Sequence, residues 1–163
     1  LLRAARGARV PLGYAEDMAR AVGDFGDEAA FAAAARALSK PFEKAKFEEA
    51  DGVLTFKSAP AIAALPVALD ALRAGIKTVT FDCIDEEDLI APYLDHSAAR
   101  GFFAAKHGVR LTHTAARSVP PPIARLHLPI DTLETLQALA ALTYVPASEA
   151  SREGAGAGAI DND

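Results

Sequence analysis

Hydrophobic positions in the first fifty residues recur with helical spacing. Tyr14, Met18 and Val22 form one stripe, and Phe31, Ala34, Ala35 and Leu38 follow at i, i+3, i+4 and i+7. The spacing predicts helices over residues 3–9, 14–22 and 27–38, the last opened by Asp27 or Glu28. Pro11 and Gly13 interrupt the first pair, residues 23–27 read as a turn, and Pro41 ends the third helix. Residues 42–49 have a helical composition with only a weak stripe.

Beyond residue 50 the period changes. Strands are predicted over 53–57, 77–83, 109–114 and 123–128, where apolar and polar positions alternate. In the second of these, Val79, Phe81 and Cys83 share one face while Thr78, Thr80 and Asp82 share the other. Between the strands, Ile62, Leu65, Leu69, Leu72 and Ile76 make a helical stripe. Ser58 is its expected N-cap and Gly75 its stop, with a break at Pro66. Asp85 is the expected cap of the next helix, with Glu86, Glu87 and Asp88 favoured by the dipole of its first turn. Pro92 disturbs that helix; Ser97 restarts it as far as His107, ahead of Gly108. Pro120, Pro121 and Pro122 form a rigid extended connection. Asp131 and Glu134 have capping-box spacing and open a helix carrying Leu133, Leu136, Leu139, Ala140 and Tyr144.

Helices gather early and half-polar strands later. This order predicts an α+β fold: N-terminal helices, then a mostly antiparallel or mixed sheet of about four strands packed on helices by one face. One domain is expected over 1–163, helical to about residue 50, sheet and helix over 51–145, and glycine-rich over 146–163.

Composition narrows the function classes. The chain of 163 residues carries a formal net charge of −5 and no clustered Lys and Arg, so nucleic acid is not an expected partner. No run of about 18 apolar residues occurs, so no membrane association is expected. The chain has one cysteine, Cys83, so it cannot form an internal disulfide, which fits a cytoplasmic protein. Cys83 reads as a small hydrophobe on the apolar face of its strand. The first residue is Leu1 rather than Met, so residues are expected to precede it.

Candidate chemistry is sparse. The acids at 82 and 85–88 are explained by a helix start and lack the spacing of a calcium loop, so no metal is expected. The histidines lack a zinc spacing. His107 suits a helix C-terminus. His113 reads as a core histidine at the end of its strand, or as one of a facing pair with His127 that could move a proton.

The richest chemistry lies near the C-terminus. Ser148, Glu149, Ser151 and Arg152 fall within one or two helical turns after Pro146, and Ser148 and Arg152 are i, i+4 neighbours. Gly154, Gly156 and Gly158 follow, where backbone amides can cradle an anion. The expected ligand-binding residues are therefore Ser148, Ser151, Arg152, Gly154, Gly156 and Gly158. Glu149, His113 and His127 are the candidate catalytic groups.

The same residues carry a resemblance. Residues 143–152, the glycines at 154, 156 and 158 and the closing Asp161, Asn162 and Asp163 resemble the ending of a family of uncharacterised proteobacterial proteins that bears a domain-of-unknown-function label. Ala4, Ala5, Arg6 and Gly7, then Gly13, Tyr14 and residues 15–21, are similar to its N-terminal helical pattern. The resemblance implies no activity, cofactor or catalytic residue. The expectation is a small-ligand-binding or accessory, subunit-like protein of the cytoplasm, with a second copy of itself and a small anionic ligand as candidate partners. The alternative is an enzyme acting on a small anionic metabolite held by the C-terminal segment.

Overall fold

A computed structural model describes residues 1–116, 118–122 and 126–143. It is an α+β fold with six α-helices and a five-stranded mixed sheet among the described residues. The helices are α1 (Leu2–Gly7), α2 (Leu12–Phe25), α3 (Glu28–Leu38), α4 (Ala61–Arg73), α5 (Ile90–Ala99) and α6 (Ile130–Ala141). The strands are β1 (Phe47–Ala50), β2 (Val53–Phe56), β3 (Thr78–Phe81), β4 (Ala104–His107) and β5 (Arg110–His113), in the order β1-β2-β3-β5-β4. Only β2 and β3, joined by α4, run parallel; the other pairs are antiparallel.

Period-two alternation places Leu54 and Phe56 of β2, Val79 and Phe81 of β3 and Leu111 of β5 in the core. The Phe56 and Phe81 rings stack with centroids 5.3 Å apart. The opposite face is wetter and carries Thr55 and Thr80, whose hydroxyls are hydrogen-bonded at 2.9 Å. Helix α4 packs on β2, β3 and β5, α5 packs on β4, and α2 packs on both helices. One apolar cluster runs from Ala4 through Leu136. Alanine makes close helix packing possible: Ala30, Ala33, Ala34, Ala61, Ala63, Ala64 and Ala68 are all buried. Where α1 meets α6 the approach is closer still, because a Cβ at Gly7 would run into the carbonyl oxygen of Leu139.

Three expected strands are present, slightly shortened, and two strands replace expected helix. Residues 47–50 form β1, because Asp51 and Gly52, at φ 52° and 74°, close a two-residue hairpin that pairs β1 with β2. That cross-strand pairing overrides the helical composition. Helix α5 stops at Ala99, with Gly101 in the left-handed region just beyond. Residues 104–107 are consequently free to form β4, and Gly108 becomes part of a hairpin loop instead of a helix stop. In the expected fourth strand, Leu126, His127 and Leu128 are irregular, and residues 123–125 lie outside the described residues.

The prolines also behave differently from expectation. Helix α4 continues through Pro66 although the bond to the carbonyl of Ile62 is lost. A proline inside a helix costs about 3 kcal/mol. Ile62, Leu65, Leu69 and Leu72 are all buried, and each contributes about 1.5–3 kcal/mol, so burial wins. Pro92 is the third residue of α5, in the first turn, where its missing N–H has no intrahelical partner to lose. The helix therefore runs unbroken past Ser97. Helix α2 likewise continues past Gly23 to Phe25. Asp27 caps α3 as expected, its Oδ1 accepting from the Ala30 N–H at 3.0 Å. Helix α6 opens one residue before Asp131, which accepts from the Thr132 N–H at 2.8 Å instead of capping from outside.

Candidate functional site

The C-terminal residues proposed from sequence, Ser148, Glu149, Ser151, Arg152, Gly154, Gly156 and Gly158, lie outside the described residues. His113 is exposed at the end of β5, not in the core, and its ring packs against Phe102 at 5.3 Å. The strand's alternation ends there: Leu111 is buried, but Val109 and His113 on either side of it are exposed. His127 is exposed in the irregular stretch before α6, and His107 ends β4 instead of a helix. Cys83 is exposed, because β3 ends at Phe81 and the alternation that would bury Cys83 ends with it.

The acidic run is resolved into ion pairs and a cap. Asp82 meets Lys57 at 3.3 Å, Glu87 meets Lys106 at 2.8 Å and Asp88 meets Arg36 at 3.7 Å. Glu86 is buried; its Oε2 accepts from Arg36 Nε at 3.0 Å and Nη2 at 2.7 Å, and its Oε1 accepts from Lys40 at 3.3 Å. Asp85 accepts from the Ala61 N–H at 2.8 Å, so it caps α4 and not its own helix. The parallel strands explain this. Beyond β2 and β3 the chains stay paired through Ala59 and Ile84, which carries Asp85 to the start of α4. Ser58 is thereby displaced from the capping role expected of it. Among the described residues no group of three or more His, Cys, Asp or Glu side chains could hold a metal ion.

Two clefts are lined in part by α4. One, of about 280 Å³, sits at the carboxyl ends of β2 and β3 and is lined by Lys40, Phe42, Ser58, Cys83 and Asp85 among others. Of its charged groups, Lys40, Glu43 and Asp85, the first and last already serve each other at 3.5 Å, while Asp85 also caps α4.

The other, of about 480 Å³, lies among α2, α4 and α5. Helix α5 and its C-cap present Tyr93, His96, Ser97 and Arg100 at i, i+3, i+4 and i+7, one face of the helix. Helix α4 presents Pro66, Leu69, Asp70 and Arg73 with the same spacing, and α2 contributes Asp17. Arg73 is held from three sides. Its Nη1 donates to Asp70 at 2.9 Å, its Nη2 donates to Ser97 Oγ at 3.0 Å, and its guanidinium lies 5.1 Å from the centre of the Phe102 ring. Ser97 in turn donates to the Phe102 carbonyl at 3.0 Å. A guanidinium has five N–H donors, so Arg73 is oriented with donors left over.

Tyr93 and His96 are different. The Tyr93 hydroxyl and His96 Nε2 are buried atoms with no hydrogen-bond partner among the described residues. Tyr93 as a whole is only 3% exposed. Burial, and after it the charge of Asp17, raises the Tyr93 hydroxyl well above its ordinary range, so it keeps its proton. Burial and then Arg100 lower His96, with Arg20 adding to them and Asp24 and Asp17 opposing, which leaves the imidazole neutral at neutral pH. A neutral phenol and a neutral imidazole can each donate or accept a hydrogen bond.

These residues escaped notice in the sequence because Pro92 is expected to disturb the helix and Ser97 to restart it. Read as one helix, residues 90–99 would have shown the polar stripe. No family model, curated protein or solved structure matches this chain.

Proposed function

We propose that this is a small-ligand-binding protein of the cytoplasm, with its site in the cavity among α2, α4 and α5. The observation that carries the reading is the Tyr93 hydroxyl, buried like Nε2 of His96 without a partner among the described residues, on two residues that line this one cavity. Leaving such a group unsatisfied costs about 1–3 kcal/mol. A ligand that hydrogen-bonds to it recovers that energy. Arg73, already oriented, and Arg100 at the rim suit an anionic group such as a carboxylate. The free, exposed thiol of Cys83 accords with a reducing compartment. Among the described residues no helix is long and apolar enough to cross a membrane.

A melting scan against small carboxylates, phosphates and polar metabolites tests the reading. A ligand at about 100 times its Kd adds roughly 2.7 kcal/mol, or several degrees in Tm. The shift should disappear in Arg73→Gln. The absence of any shift across the panel, or a shift that survives in Arg73→Gln, would overturn the assignment.

The subunit-like, homodimeric reading has its own support. Ile130 and Leu133 lie one turn apart on α6 and are both exposed, Ile130 at 70%. Sedimentation of the intact chain tests it: a dimer that Ile130→Ser dissociates supports the reading, and a monomer at all concentrations removes it.

A further inference from the structure

The charges around the cavity of the proposed site do not have one sign. Asp70 and Arg73 are paired with each other at 2.9 Å and nearly cancel. Two further charges remain on the lining, the cation of Arg100 at the C-cap of α5 and the anion of Asp17 on α2. Among the described residues neither forms a salt bridge, and they come from different helices. The same lining holds Tyr93 and His96, whose hydroxyl and Nε2 are uncharged and lack partners among the described residues. A ligand that is only anionic would satisfy Arg100 but leave its charge facing Asp17. A ligand that is only cationic would do the reverse. A small molecule with both charges satisfies both helices.

Resting on the ligand-binding reading above, we propose that the ligand is a zwitterion of the free α-amino acid class, with its carboxylate toward Arg100 and Arg73 and its ammonium toward Asp17. Tyr93 can accept from the ammonium or donate to the carboxylate, and the neutral His96 has the same freedom. A volume of about 480 Å³ holds a molecule of this size. The buried hydroxyl then discriminates chemically: a ligand lacking the matching polar group leaves it unpaired.

The test alters the ligand and keeps the protein unchanged. The twenty common L-amino acids are titrated into the intact chain by calorimetry at pH 7.5, together with acetate, succinate and inorganic phosphate. Each amino acid that binds is compared with the same carbon frame lacking the amine and with the frame lacking the carboxylate. For leucine these are 4-methylpentanoate and 3-methylbutylamine. The expected result is at least tenfold weaker binding of both partial molecules. Asp17→Asn should remove the advantage of the amino acid over the plain acid, and Arg100→Gln its advantage over the amine. If a plain acid binds as tightly as the amino acid, or only acetate, succinate or phosphate binds, the zwitterion proposal is overturned and the ligand-binding reading stands. If nothing binds, both fall.

Discussion

Tyr93 shows how a single residue can be stable in the wrong place for stability alone. Its ring contributes to the core, yet its hydroxyl is buried without a partner among the described residues. Removing that oxygen eliminates the unmet hydrogen bond while keeping the packing. Tyr93→Phe is therefore expected to stabilise the ligand-free protein by about 1 kcal/mol, read as a higher urea midpoint at unchanged slope. A clear loss of stability would mean that the hydroxyl is satisfied in the folded state. Glu86 makes the contrast. It is equally buried but accepts from both Arg36 and Lys40, so its burial needs no ligand to explain it. Neither outcome was legible in the sequence. Glu86 read as one of several acids at a helix start, and Tyr93 carried no signal until α5 was seen to be continuous.

At the scale of elements, the start of α4 and the contact of α1 with α6 carry the sharpest expectations. Asp85 caps α4 from a segment that follows β3, so its loss should weaken a helix to which it is not locally connected. Asp85→Ala is expected to cost about 1 kcal/mol, within the ordinary range for a lost cap, and Asp85→Asn less, since an amide oxygen can still accept. Thermal unfolding of the two variants side by side checks this, and equal losses would assign the effect to the ion pair with Lys40. Gly7→Ala places a Cβ against the backbone of Leu139, which cannot rotate away. The expected cost is about 1–3 kcal/mol, the range for overpacking, measured by chemical denaturation. No loss would require that α1 and α6 separate freely. The Asp51-Gly52 pair is a hairpin signal readable in the sequence, but β1 beside it is charged and exposed, so only its pairing with β2 makes it a strand.

For the molecule as a whole, His96 links the cavity to pH. Burial first, then Arg100, depress its folded-state pKa below the ordinary value of about 6.5, with Arg20 acting the same way and Asp24 and Asp17 opposing. In the window between the depressed value and about 6.5, the unfolded chain binds more protons than the folded one. Stability from this group is therefore complete above pH ~6.5 and is lost as pH falls through the folded value. Urea midpoints taken from pH 7.5 down to pH 5 should fall more steeply for the native chain than for His96→Gln. Parallel profiles would show that His96 titrates alike in both states.

The local patterns that depend on neighbouring residues were legible: the stripes of α2 and α3, the Asp27 cap, the alternation of β2 and β3, and with them the α+β class. They are written in spacings of two, three and four residues, and a segment carries them wherever it is placed. What required the tertiary structure was everything settled by residues distant in the chain. Pairing to β2 turned a helix-like stretch into β1. Burial of its neighbours held α4 together across Pro66. The parallel course of two strands brought Asp85 to a helix start 24 residues upstream. The cavity among α2, α4 and α5 belongs to the same kind, since Asp17, Arg73, Tyr93, His96 and Arg100 meet only after three separate helices have packed, and no spacing within one segment encodes that meeting.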